Sequence, residues 1–171
     1  MKASLEPASG GVIVVNIPMR LELVQRRSYF RVNIPESMKV STKIWYGNIE
    51  SGAEKRTSEH YWEGSLLDLS AGGCQVVLDC EQKQHFHAGQ FVVIEFTPLP
   101  YESPFVFDTQ IRNVLLTADR SHVCIGLQII GLESNSDGRE TLQRLCDVVE
   151  KYYQINQSNA KHLDMHGSVV N

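Results

Sequence analysis

The feature that most constrains the fold is a series of short runs in which apolar and polar residues alternate. In the clearest run, Met38 to Tyr46, every second residue is apolar or β-branched and most residues between them are polar. Such period-2 alternation is typical of a β-strand with one buried face. Five later runs, separated by Gly, Pro, Asp and Asn residues, also predict strands: 61–69, 74–78, 91–97, 105–116 and 122–132. Six short strands joined by turns predict a small antiparallel barrel.

A helical pattern follows the last predicted strand. Its apolar residues recur at three- and four-residue steps and form one face: Leu142, Leu145, Cys146, Val149 and Tyr153. Ser136 or Asp137 could cap the start of this helix. From Gln157 the sequence becomes polar, and the helix is expected to fray there. The predicted fold class is therefore mainly β, with a C-terminal α-helix.

Length and composition are typical of one globular domain with short additional ends. The chain has 171 residues, of which 42% are apolar and 21% charged. No apolar run approaches the roughly 18 residues of a membrane span, and Lys2 is not followed by the apolar segment of a signal peptide. The four cysteines show no Cys-x-x-Cys spacing and are interpreted as reduced thiols. These features predict a cytoplasmic protein without membrane insertion.

The charge is distributed unevenly along the chain. Residues 1–43 hold seven Lys/Arg and three Asp/Glu, whereas residues 44–171 hold nine and seventeen. A small basic region on an acidic body disfavours DNA or RNA as a partner, because nucleic-acid binding requires an extended positive surface. The pattern favours one compact anion bound at one place.

A dense arginine cluster, RRSYFR, runs from Arg26 to Arg31. Arginine is suited to phosphate and guanine because its planar fork donates two parallel hydrogen bonds and its face stacks on a base. In an extended segment Arg27 and Arg31 would lie on one side, roughly 13 Å apart along the backbone. Taken alone, the cluster is more simply interpreted as a solvated basic linker or a patch for anionic lipid.

A second group joins a carboxylate, a hydroxyl and two glycines between apolar runs: Asp68, Ser70, Gly72 and Gly73. The Asp68 carboxylate can accept hydrogen bonds from N1–H and N2–H₂ of one guanine. The Ser70 hydroxyl can donate to a phosphate oxygen or to a neighbouring carbonyl. The glycines permit positive φ and let backbone N–H groups approach a ligand closely. Taken alone, however, the segment is better explained as a strand–turn–strand corner.

Together the two segments resemble the signatures of the PilZ domain family, Arg-x-x-x-Arg and Asp/Asn-x-Ser-x-x-Gly. They match in family order, about forty residues apart. PilZ domains bind the bacterial second messenger cyclic di-GMP, so the resemblance implies a receptor rather than an enzyme, with a six-stranded antiparallel PilZ-type β-barrel and no cofactor. The ligand-binding residues that it implies are Arg26, Arg27, Arg31, Asp68, Ser70, Gly72 and Gly73.

The resemblance also suggests a domain organisation. We expect a PilZ domain at 21–155, a mobile N-terminal segment at 1–20 and a flexible C-terminal tail at 156–171. In the flagellar-brake (YcgR-like) type a separate N-terminal domain precedes the PilZ domain. Residues 12–24, with a short β-branched run that could be a strand, resemble the end of that domain and its linker. The chain is therefore expected to be a piece of a longer protein.

The mechanism implied by the family is an ordering of the arginine-rich linker over the nucleotide, which alters a protein–protein contact. The implied partner is a component of the flagellar motor or of polysaccharide secretion. The alternative is an interaction module of the same fold with little nucleotide affinity; an oligonucleotide-binding barrel is disfavoured by the acidic body. Three arginines within six residues further predict two cyclic di-GMP molecules per chain, because two stacked ligands carry four negative charges.

Other polar groups do not predict a metal or a catalytic site. His85 and His87 could lie on one face of a strand, but without a second pair of ligands a turn with solvated histidines is the simpler interpretation. His60 with Asp68 and Ser70 lacks the nucleophile elbow and the activating base of a hydrolase.

Overall fold

The structure, a computed structural model, describes residues 2–5, 13–16, 28–47, 61–132 and 136–166. The strands in these ranges are β1 (Lys2–Leu5), β2 (Ile13–Asn16), β3 (Arg31–Asn33), β4 (Ser41–Tyr46), β5 (Trp62–Ser70), β6 (Gly73–Asp79), β7 (Phe91–Phe96), β8 (Phe105–Leu116) and β9 (His122–Ile129). A 3₁₀-helix spans Cys80–His85, and helix α1 spans Ser136–His166. The loop predicted at 48–58 lies outside the described residues.

Strands β4 to β9 close into a six-stranded antiparallel barrel. Their order around the barrel is β5, β4, β7, β8, β9 and β6, and β6 pairs with β5 to complete the closure. The short strand β3 pairs with the second half of β5. Strands β1 and β2 form a separate antiparallel pair. The predicted barrel and its C-terminal helix are thus confirmed.

The period-2 pattern of the sequence fills the barrel interior. In β9, Val123, Ile125, Leu127 and Ile129 are buried and alternate with residues that reach the surface. In β8 the buried positions are Phe105, Phe107, Thr109 and Ile111. Since successive side chains of a strand point to opposite faces, each strand contributes one apolar row to a common core.

Some strand ends differ from the sequence prediction, and local backbone geometry explains two of them. The strand predicted from Met38 begins at Ser41, because the Met38 N–H donates to the Pro35 carbonyl in a turn. The last strand ends at Ile129 rather than at residue 132. Gly131 follows with a φ of 81°, a left-handed conformation that turns the chain away from the sheet.

Helix α1 packs against the barrel through a face shifted from the predicted one: of the predicted residues Leu145 and Val149 are buried, whereas Cys146 and Tyr153 are exposed. Leu145, Val148 and Tyr152 are almost completely buried, and the Tyr152 hydroxyl donates to the Pro98 carbonyl before β8. Burial and the nearby Glu102 carboxylate raise the pKa of Tyr152. These contacts fix the helix to the loop between β7 and β8.

The prediction that the helix frays from Gln157 was wrong, because α1 continues to His166. The polar run from 157 to 166 contains no Gly or Pro, so nothing in it breaks the backbone hydrogen-bond pattern. Polar residues without a breaker continue a helix whose first turns are fixed by packing. No helix among the described residues combines the length and the apolar character needed to cross a bilayer.

Candidate ligand-binding site

Strand β3 brings the two sequence motifs into contact. Its register on β5 places Arg31 opposite Ser70 and Asn33 opposite Asp68. The Arg31 Nη1 atom donates to the Asp68 Oδ2 atom at 3.1 Å. The two motifs are therefore joined by the pairing of their strands and by an ion pair between residues 37 positions apart.

The Asp68 carboxylate is largely buried, whereas Arg31 remains about one-third exposed. Their side chains expose 10% and 37% of their surfaces, respectively. Asp68 lies close to Cys74, the residue after the turn: burial raises the pKa of the Cys74 thiol to about 12, the Asp68 charge adds to the rise, and the Arg31 charge opposes it. The carboxylate thus anchors a guanidinium that still reaches solvent.

Ser70 stabilises the turn between β5 and β6. Its hydroxyl donates to the Gly73 carbonyl at 3.0 Å, and the side chain is buried. Of the two hydrogen bonds predicted for this hydroxyl, the structure contains the one to a neighbouring carbonyl. Its contact with a phosphate remains a prediction.

The glycines of the turn are required by space more than by backbone conformation. Gly73 has a φ of 159°, which is nearly extended, but a Cβ there would lie 2.1 Å from the Leu127 carbonyl oxygen. At Gly72 a Cβ would lie 2.7 Å from the Tyr29 ring. Gly73 therefore lets β6 approach β9, and Gly72 lets the segment before β3 cross the turn.

The segment before β3 continues from the turn to helix α1. Tyr29 lies against Gly72, and the ring of Phe30 makes an edge-on contact with Tyr153, with 5.4 Å between the centroids. The Asn156 side chain donates to the Asn33 carbonyl at 2.9 Å. The backbone that carries Arg31 is thus held between the barrel and the helix.

A cleft of about 310 Å³ opens between this segment and the outer face of the barrel. Of the predicted site residues, Arg31, Ser70, Gly72 and Gly73 line it, and Asp68 lies behind Arg31. Its volume is at the lower end of the range for small-molecule sites. Arg26 and Arg27 lie outside the described residues, so their positions in the site remain predictions.

Four polar residues on the barrel side of the cleft were not predicted from the sequence: Gln75, Arg112, Asn113 and Gln128. Arg112 and Asn113 are neighbours in β8, and Gln128 lies in the adjacent strand β9. The sequence contains one usable signal, since polar residues at outward positions of these strands interrupt apolar runs. It does not indicate which outward face adjoins the arginine motif, because that depends on the closure of the barrel.

Comparison with known proteins identifies the family. A family model described as the PilZ domain matches residues 25–147. The chain belongs to the PilZ family. PilZ domains are non-catalytic receptors for cyclic di-GMP. No curated protein matches the chain by sequence.

Solved structures share the PilZ fold with this chain. The PilZ domain of YcgR from Escherichia coli, with cyclic di-GMP, is 16% identical with a TM-score of 0.57, and the match covers 80% of this chain and 98% of that one. The structure of YcgR from Escherichia coli in complex with cyclic di-GMP is 18% identical with a TM-score of 0.59, and the match covers 93% of this chain and 61% of that one. The inhibitor of motility MotI/DgrA from Bacillus subtilis is 17% identical with a TM-score of 0.55, and the match covers 88% of this chain and 63% of that one. At these identities the similarity establishes the fold, and the chain spans less than two thirds of the two longer proteins.

Substitution of Gly73 by Ala should destabilise the PilZ domain by about 1–3 kcal/mol, because the new methyl group would overlap a backbone carbonyl that cannot move independently of β9. Chemical denaturation would measure the change in the free energy of unfolding. The matched control is Gly72→Ala, whose methyl group meets the ring of the half-exposed Tyr29, which can rotate away. Equal losses in the two variants would contradict the proposed role of Gly73.

Proposed function

We propose that this chain is a cyclic di-GMP receptor whose ligand binds in the cleft between the barrel and residues 28–33, here called the Arg31 segment. The observation that carries the proposal is the register of β3 on β5. It places the end of the Arg-x-x-x-Arg motif directly opposite the Asp-x-Ser-x-x-Gly motif, at the edge of one cleft. Membership of a family of cyclic di-GMP receptors supports the same conclusion.

The chemistry of the cleft suits this ligand. Cyclic di-GMP presents two phosphodiester charges and the edges of two guanines, and an arginine fork can donate bidentately to either group. Arg31 is held at the cleft by Asp68 while remaining partly exposed. In the proposed site Arg26 and Arg27 provide further guanidinium groups from the preceding segment.

Asp68 has two proposed roles in this site. One carboxylate oxygen accepts a hydrogen bond from Arg31, so Asp68 first orients that guanidinium toward the cleft. A direct contact with N1–H and N2–H₂ of a guanine is its second proposed role. The second role requires the carboxylate to become accessible when the ligand binds, since only 10% of its side-chain surface is exposed.

The proposed consequence of binding is an ordering of the arginine segment against the barrel, which changes a contact with a protein partner. Two fold relatives suggest the output: YcgR was solved with cyclic di-GMP, and MotI is described as an inhibitor of motility. We therefore propose a YcgR-like receptor that acts on a motility or exopolysaccharide component in the cytoplasm. A PilZ-fold interaction module with little nucleotide affinity is the alternative that a titration would detect.

Substitution of Arg27 or Arg31 by Ala should largely abolish cyclic di-GMP binding. A lost charge-assisted contact typically costs about 1.5–3 kcal/mol, or roughly 10- to 150-fold in affinity. Isothermal titration calorimetry would measure the affinity. Because Arg31→Ala also removes the ion pair with the largely buried Asp68, the thermal stability of that variant should fall as well.

The control is Arg120→Ala, which removes an arginine from the exposed turn between β8 and β9. Its affinity for cyclic di-GMP should match that of the wild type. Wild-type affinity in both the Arg27 and the Arg31 variants would refute the proposed site. A wild-type protein that binds no cyclic di-GMP would favour the interaction-module alternative.

The stoichiometry is predicted to be two cyclic di-GMP molecules per chain. Arg26 precedes Arg27 directly, and an additional guanidinium can neutralise a further phosphate and stack on a base. Calorimetric titration of the wild type should saturate at two, and Arg26→Leu should shift the ratio toward one. Saturation of the wild type at one nucleotide per chain would show this prediction to be wrong.

A further inference from the structure

The wall of the cleft opposite the arginine segment carries amide side chains and a further arginine. Strands β6, β8 and β9 contribute Gln75, Asn113 and Gln128, which together with Arg112 are here called the amide wall. Gly126 lies between Gln75 and Asn113, and a Cβ at Gly126 would lie 2.4 Å from Asn113 Oδ1. Because Gly126 has no side chain, the Asn113 amide can occupy the space next to its Cα, at the centre of the amide wall.

A β-bulge places two consecutive residues of β8 in this wall. Ile111 pairs with Leu127 and Asn113 pairs with Gly126, so Arg112 is the extra residue of the bulge. In a regular strand neighbours point to opposite faces, but here Arg112 and Asn113 are both exposed and both line the cleft. The bulge thus directs an arginine to the ligand side of the barrel.

The orientation of Arg112 is set by its neighbour in β9. Its Nε atom donates to the Gln128 Oε1 atom at 2.5 Å, which fixes the plane of the guanidinium. Among the described residues no hydrogen bond or ion pair is recorded for its two terminal nitrogens. They form a two-donor fork that is available to a ligand, of the kind that matches the O6 and N7 acceptors of guanine.

We infer that Arg112, oriented by Gln128, recognises the O6/N7 edge of a guanine of cyclic di-GMP. This inference rests on the proposed function and adds a base-reading residue to it. The amides around Arg112 are uncharged and are themselves suited to base edges, whereas the charges suited to the phosphates lie on the opposite, arginine-rich segment. The amide wall therefore selects guanine, and the arginine segment binds the phosphates.

The experiment is a double cycle that combines an Arg112→Ala variant with a ligand lacking the guanine N7 acceptor. Affinities of wild type and variant would be measured by calorimetry for cyclic di-GMP and for its 7-deaza analogue, in which carbon replaces N7. Arg112→Ala should weaken binding of cyclic di-GMP about tenfold or more. The affinity loss caused by the 7-deaza change should be at least about threefold smaller in the variant than in the wild type, because the partner of N7 is gone.

Two further variants complete the cycle. Gln128→Leu should also reduce the 7-deaza loss, since it frees the Arg112 side chain to adopt other orientations. Arg120→Ala, at the far end of the same hairpin, should keep both the affinity and the 7-deaza loss of the wild type. Thermal denaturation of each variant would verify that the fold persists at the titration temperature.

The outcomes separate this inference from the proposed function. A wild-type protein that binds no cyclic di-GMP would overturn both. If the wild type binds and Arg112→Ala retains its affinity, only the inference about Arg112 fails. If Arg112→Ala weakens binding but the 7-deaza loss is unchanged, Arg112 contacts a phosphate, and the base-reading role is likewise overturned.

Discussion

The pairing of β3 with β5 is the constraint on which the site depends. The register consists of three residue pairs, yet it places Arg31 opposite Ser70, the last residue before the turn that contains Gly72 and Gly73. The Arg31–Asp68 ion pair then joins the two motifs through their side chains. Burying the Asp68 carboxylate would be costly without this partner, since an unpaired charge in a dry environment is strongly disfavoured. The strand pairing and the ion pair therefore stabilise each other, and together they define one side of the cleft.

A three-residue strand is a weak attachment by itself, and helix α1 supplies additional support. The Asn156 amide binds the Asn33 carbonyl, and Tyr153 contacts Phe30, so the helix holds both ends of the Arg31 segment. Within residues 28–33 only Val32 is buried, and segments with few buried apolar contacts occupy the low end of the local stability range. A ligand that contacts both this segment and the barrel would add stability where the free protein has little. This difference between the free and bound states is the physical basis of the proposed ordering mechanism.

The sequence predicted the elements that depend on local patterns and missed those that depend on tertiary contacts. The six barrel strands follow from period-2 alternation, which the packed core preserves. The period-3.6 pattern predicted helix α1, but its buried face also includes Val148 and Tyr152, and the predicted Cys146 and Tyr153 are exposed. The motif residues around Ser70 were found because their spacing is a family signature. Arg112 was missed because its orientation depends on a β-bulge, whose register against β9 has no local sequence signature. The reason for Gly73 was also misjudged, since the close approach of Leu127 is visible only in the closed barrel.

The central claim is that one ligand contacts the Arg31 segment and the β5–β6 turn together. Amide hydrogen exchange measured by mass spectrometry, with and without saturating cyclic di-GMP, tests this claim most directly. The account predicts slower exchange on ligand addition in peptides covering 28–33 and 68–75. Exchange in the 3₁₀-helix Cys80–His85, which lies outside the cleft, should not change. Unchanged exchange in both 28–33 and 68–75 at saturating ligand, or protection confined to one of them, would contradict the account.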